Sequence, residues 1–194
     1  MNFSGPVWLM QPIPYFGEEL KGDWIVEPKI DGWRMQIISY LSGKIEFWGR
    51  RLEKKPNWTE KLLYLINPLK NLLPPGTLLD CELYSEGGRR FIPSLFARHP
   101  KVKPLVYVFD VIFWEGEFVG RRPLNERKRI LSSLKFNPPF YQMEFHFWEK
   151  GDIKEEVKNA LQKGWEGIVL KKWDSLYKLI EEGPVATIDW RKVK

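Results

Sequence analysis

With 194 residues the chain can bury one respectable core and fits a single domain, residues 1–194, better than two. Its 31 Lys and Arg against 25 Asp and Glu leave a net charge of +6 and a pI near 9.3, which favours a polyanionic partner. A single cysteine, Cys81, excludes a disulfide framework and a cysteine metal cluster. The N-terminus lacks a leader pattern and no apolar run reaches the ~20 residues that span a bilayer, so the chain reads as a soluble, cytoplasmic monomer.

In chain order, Trp24 to Ile30 and Met35 to Tyr40 read as strands, and Ser42-Gly43 turns into a third at Lys44 to Trp48. A helix is expected next. Asn57 with Glu60 makes a capping signal, and Leu62, Leu65, Ile66 and Leu69 recur at helical spacing until Pro68 breaks or kinks it. Strands are predicted at Thr77 to Tyr84 and Pro104 to Trp114, and helices at Asn125 to Leu134 and Asp152 to Lys163, the latter capped by Asp152 and stopped by Gly164. Strands at Gly167 to Lys171 and Thr187 to Lys194 close a mixed α and β pattern.

The run Glu27-Pro28-Lys29-Ile30-Asp31-Gly32-Trp33-Arg34 carries the most chemistry. A lysine becomes a nucleophile when its site disfavours the cation or sets other positive charges beside it, and Arg34 is the expected neighbour. Alone, the run also reads as a surface lysine beside an Asp-Gly turn. Alternation in Leu78 to Tyr84 puts Asp80, Glu82 and Tyr84 on one face and Leu79, Cys81 and Leu83 on the other, which suits a solvated face as well as a site. Glu166 and Lys171 fall on opposite faces of an ideal strand, and a bulge at Gly167 would reconcile them. Trp190, Lys192 and Lys194 share one face. His99 and His146 form no metal-ligand spacing and read as structural or surface residues.

Glu27 to Arg34 resembles motif I of the ATP-dependent DNA ligases, in which the lysine of KxDG takes AMP from ATP as a phosphoramidate. Further segments extend the resemblance across the chain, from Pro6 to Lys194. Asp80-Cys81-Glu82 resembles motif III, with Cys81 where Gly is usual, and Val108-Phe109-Asp110 resembles motif IIIa, whose aromatic stacks on the purine. Glu166 to Lys171 resembles motif IV, and Asp189 to Lys194 resembles motif V. Arg50 matches an arginine of the ligases, with Gly49 in place of Ser and Arg51 able to substitute if the register slips. Arg122 to Arg127 resembles a Pro-Leu-x-Glu-Arg stretch of bacterial members.

The resemblance implies an α+β nucleotidyltransferase domain, ATP-grasp-like, with two antiparallel sheets flanked by helices and a nucleotide cleft between them. It implies Lys29 as the catalytic residue, with Glu27, Asp31, Arg34, Arg50, Glu82, Phe109, Glu166, Lys171, Lys192 and Lys194 around ATP. Glu82 and Glu166 would hold Mg²⁺, for which Mn²⁺ can substitute. The implied substrate is nicked double-stranded DNA. Family members continue into an OB-fold domain, and this sequence stops at Lys194, so it reads as a catalytic fragment or a minimal enzyme aided by a separate OB-fold or repair partner. Other readings are an RNA ligase, a capping guanylyltransferase, less favoured by these motifs, and a non-catalytic nucleic-acid end-binding module.

Overall fold

The computed structural model describes residues 3–194. In chain order the elements are β1 (Gln11–Pro14), β2 (Trp24–Lys29), β3 (Trp33–Ser39), β4 (Ile45–Gly49), α1 (Asn67–Lys70), β5 (Thr77–Ser85), β6 (Pro104–Trp114) and β7 (Glu117–Phe118). They are followed by α2 (Leu124–Ser133), β8 (Phe140–Gln142), β9 (His146–Phe147), α3 (Ile153–Gln162), β10 (Gly167–Lys172) and β11 (Ala186–Val193). One sheet has the order β1-β11-β10-β2-β9, and the other runs β4-β3-β5-β6-β7 with β8 beside β6. The sheets are antiparallel apart from the pairs β1/β11 and β6/β8, which run parallel.

Strand parity builds three apolar layers. Met35, Ile37, Leu79, Cys81 and Leu83 face outward from the second sheet against Leu65, Leu69, Leu131 and Leu134. Trp24, Val26, Ile168 and Leu170 face outward from the first sheet onto Ile153, Val157 and Ala160 of α3. Between the sheets Ile38, Phe109, Ile112, Phe113, Tyr177 and Trp190 form a third layer. The opposite-parity residues Glu27, Lys29, Arg34 and Glu82 therefore turn toward the space between the sheets.

Two expectations are corrected. The helix expected over 57–69 is two 3₁₀ turns, Thr59–Lys61 and Leu63–Leu65, before the four-residue α1. Pro68 stands in the first turn of α1, where a missing N–H is tolerated. In the interior of one continuous helix its missing N–H would break the hydrogen-bond ladder and its ring would clash with the carbonyl four residues back, so the apolar spacing is met by consecutive short turns instead. No bulge occurs at Gly167, because β10 pairs with β2 in unbroken register from Gly167 opposite Lys29 to Lys172 opposite Trp24. Glu166 lies outside the strand, and Gly167 adopts φ 147°, so parity does not carry across it. A Cβ there would also stand 2.2 Å from the Val193 carbonyl oxygen. A register shift falls instead in β6, where Cys81 faces Val108 and Asp80 faces Asp110, leaving Phe109 as the extra residue.

Candidate active site

The space between the sheets opens into a cleft of about 910 Å³ lined by both. Lys29, at the end of β2, is half-buried in its wall. Burial lowers the affinity of its ammonium for the proton. Glu82 and Asp31 act against this, while Arg89 and Arg50 reinforce it. Lys29 Nζ is hydrogen-bonded to Glu166 Oε2, and the other oxygen of Glu166 accepts from Lys194 Nζ.

Arg34 is not the cation beside Lys29. Its guanidinium is bound to Asp80 by Nε at 2.9 Å and Nη2 at 2.6 Å, and Nη2 also donates to the Met10 carbonyl at 2.7 Å. Tyr177 Oη donates to the same Asp80 carboxylate at 2.6 Å. Arg34 therefore braces the cleft floor. The cations that act on Lys29 are Arg50 and Arg89, and Arg89 Nη1 donates to Asp31 Oδ1 at 2.5 Å.

Gly32 is required by close approach. A Cβ there would stand 2.5 Å from the Leu83 carbonyl oxygen and 2.7 Å from Glu82 Cγ. That contact holds the turn after Lys29 against β5 and sets Glu82 in the cleft. Burial pushes the Glu82 carboxyl up to about 7, against the pull of Arg34 and Lys29.

The inner end of the cleft is aromatic and cationic. Lys171 is buried with its Nζ 4.4 Å from the Phe109 ring centroid and 4.1 Å from that of Trp190. It lies 2.7 Å from Glu27 Oε2, and burial lowers its proton affinity against the attraction of Glu27. Its N–H groups lack a well-directed acceptor. The other oxygen of Glu27 is bound by Lys128 Nζ of α2, which also donates to the Phe109 carbonyl at 3.0 Å. Lys192 and Lys194 line the cleft from β11 and the residue after it, as their shared parity with Trp190 requires.

All of the residues named from sequence, Glu27, Lys29, Asp31, Arg34, Arg50, Glu82, Phe109, Glu166, Lys171, Lys192 and Lys194, therefore line one cleft. Sequence reasoning missed Arg89, Met143, Lys54 and the part of Lys128. For Lys128 a signal exists: the buried residues of α2 are Leu124, Arg127, Lys128 and Leu131, so two charges sit on its apolar stripe and need buried countercharges. His146 is exposed and pairs with Glu156, away from the cleft.

Among the described residues no cluster of three or more His, Cys, Asp or Glu is placed to hold a metal ion. Mg²⁺ needs only one or two carboxylates when phosphate oxygens complete its shell. The Glu82 carboxylate suits that role, since it is buried at the cleft with its charge disfavoured and no ion pair among the described residues. Glu166 would first have to release Lys29 and Lys194.

The cleft thus sets a lysine whose cation is destabilised between two sheets, with an aromatic floor and further lysines opposite. Residues 10–194 match the family described as ATP dependent DNA ligase domain, and the chain belongs to that family. It is 30% identical over 184 residues to the SPbeta prophage-derived DNA ligase-like protein LigB of Bacillus subtilis strain 168, covering 91% of this chain and 63% of that one. To the DNA ligase of Methanothrix thermoacetophila it is 28% identical over 212 residues, covering 100% and 37%. The fold superposes on a Chlorella virus DNA ligase-adenylate with a TM-score of 0.70 at 18% identity, over 97% of this chain and 67% of that one. The chain thus spans less than two thirds of these two curated relatives. No helix among the described residues is long and apolar enough to cross a membrane.

Proposed function

We propose that this chain takes AMP from ATP onto Lys29 and passes it to the 5′-phosphate at a nick in double-stranded DNA. The observation that carries the reading is Lys29 itself, a cleft lysine whose burial favours the neutral amine the reaction needs. Deprotonated Nζ attacks the α-phosphorus of ATP, a P–N bond forms, and the bond from that phosphorus to the bridging oxygen breaks so that pyrophosphate leaves with the electron pair. The proton passes to Glu166, the hydrogen-bond partner of Nζ. Lys171, Lys192 and Lys194 offset the charge that develops on the phosphate, and Phe109 offers a face to adenine. A Mg²⁺ or Mn²⁺ ion held by Glu82 would add charge neutralisation at the phosphates, and Glu166 would join it only after passing on the proton and releasing Lys29 and Lys194.

In the second step an oxygen of the DNA 5′-phosphate attacks the same phosphorus, the P–N bond breaks, and Lys29 regains its electron pair and takes up a proton. The 3′-hydroxyl then attacks the 5′-phosphorus, AMP leaves, and the nick is joined. DNA is favoured over RNA because the relatives are named as DNA ligases, and the net charge of +6 suits a duplex. The duplex is gripped together with a second module, an OB fold or a repair partner. Joining assays test the DNA half of the reading. A pre-adenylated DNA nick should be sealed faster than an ordinary nick supplied with ATP, since it bypasses the first step. Sealing of RNA nicks in preference to DNA nicks would reject it.

A further inference from the structure

Several cations of the cleft already have partners. Lys29 and Lys194 share Glu166, Lys171 faces Glu27, and Arg89 holds Asp31. Arg50, Arg51 and Lys54 also line the cleft, all three are exposed, and none is in an ion pair among the described residues. They sit together on one short excursion of the chain after β4.

That excursion is pinned at its base. Gly49 N–H donates to the Pro56 carbonyl at 2.9 Å, and Trp58 N–H donates to Phe47 at 2.8 Å, so the chain leaves and rejoins the end of β4 at nearly the same point. Trp58 packs 5.9 Å from Trp33 and 5.2 Å from Phe96, which ties the base to the core beneath the Lys29 turn. A Cβ at Gly49 would stand 2.5 Å from the Trp58 ring, so the close fit depends on glycine there. Within the excursion Leu52–Lys54 forms one 3₁₀ turn, closed by Lys55 in the left-handed region at φ 46°. The result is a preorganised loop presenting three unneutralised positive charges over the same cavity as Lys29.

We infer that this loop, through Arg51 and Lys54 with Arg50 beside them, is the binding site for the β- and γ-phosphates of ATP and for the pyrophosphate that leaves. The inference rests on the reading of the cleft as an ATP site. Adenine against Phe109 and the α-phosphorus at Lys29 direct the rest of the triphosphate outward toward the cleft mouth. There two phosphates carry the charge that grows as the bond to the α-phosphorus breaks. Guanidinium groups meet such oxygens in pairs, and donors already in place need no reorganisation.

Calorimetric titration of wild-type protein and an Arg51→Gln/Lys54→Gln variant with inorganic pyrophosphate and, separately, with AMP tests this. Both side chains are exposed, so the variant is expected to fold, and AMP binding also reports an intact cleft. Pyrophosphate affinity should fall roughly tenfold or more, and AMP affinity by less than about twofold, because AMP lacks the two phosphates the loop would hold. Unchanged pyrophosphate binding, or an equal loss for both ligands, would overturn the inference. So would weaker binding of a nicked duplex with pyrophosphate binding intact, which would make the loop a DNA contact. Absence of an AMP adduct on wild-type Lys29 after incubation with ATP is a separate result. It would reject the adenylation reading and leave the pyrophosphate titration to decide the role of the loop.

Discussion

Arg89 reaches across from the segment after β5 to donate to Asp31 Oδ1 at 2.5 Å and to the Gly32 carbonyl at 3.2 Å. It thereby sets a positive charge two residues from Lys29 and neutralises the carboxylate that would otherwise favour the lysine cation. Both effects lower the proton affinity of Lys29.

Replacing Arg89 with Gln removes one cation and frees one anion near Lys29, and both changes raise the folded-state proton affinity of its ammonium. The reacting form is the neutral amine, so the adenylation rate rises with pH through that folded value. In wild type this limb should lie below the ordinary lysine value of 10.5. In Arg89→Gln it should move to higher pH, and the difference should shrink at high salt because the pair is exposed. A pH profile of adduct formation checks this, and a shift to lower pH would contradict it.

Asp110 and Arg127 form a fully buried ion pair, Nε to Oδ1 at 2.8 Å and Nη2 to Oδ2 at 3.0 Å. Burial works to raise the Asp110 carboxyl, but the charge and hydrogen bonds of Arg127 overcome it and hold the group below its ordinary 3.8. A depressed carboxyl stabilises the fold above its unfolded-state value and loses that contribution as pH falls through the lower folded value. Asp110→Asn leaves Arg127 buried without a countercharge and should cost roughly 3 kcal/mol at neutral pH. It should also flatten the acid limb of stability below pH ~4. Urea unfolding across pH reads both effects. Equal stability of the two proteins at pH 7 would count against the pair.

Glu82 is expected to serve a divalent cation when triphosphate is bound. A non-cleavable ATP analogue should raise the thermal midpoint of wild type further when Mg²⁺ is added. In Glu82→Gln that Mg²⁺-dependent increment should shrink. A tenfold weaker affinity corresponds to about 1.4 kcal/mol, or a few degrees in a domain of this size. An undiminished increment would remove Glu82 from the metal site.

The functional strands were legible because their residues obey two rules readable in sequence. Alternation put Asp80 and Glu82 opposite Leu79 and Cys81, and the structure keeps that division. The stretches around Lys29, Glu166 and Lys192 carry the family motifs. β1, β8 and β9 escaped because two to four residues, some of them proline, leave no periodicity to detect. Arg89 was hidden for another reason: it is an ordinary charged residue whose partner lies 58 positions away, and only the fold brings it to Asp31. The expected bulge at Gly167 failed because parity counts only residues inside a strand, and Glu166 lies outside. The bulge at Phe109 had no local signal in a run of apolar residues.

On the adenylation reading Lys29 becomes covalently bonded to AMP. Incubation with ATP and Mg²⁺, followed by intact-mass and peptide mass spectrometry of wild type and Lys29→Arg, decides this. Arginine is too basic to act as the nucleophile, and the substitution preserves length and charge. An AMP adduct on the wild-type peptide that contains Lys29, absent from Lys29→Arg, is the predicted result. An adduct of equal yield on Lys29→Arg, or one on a different lysine in the wild type, would contradict it.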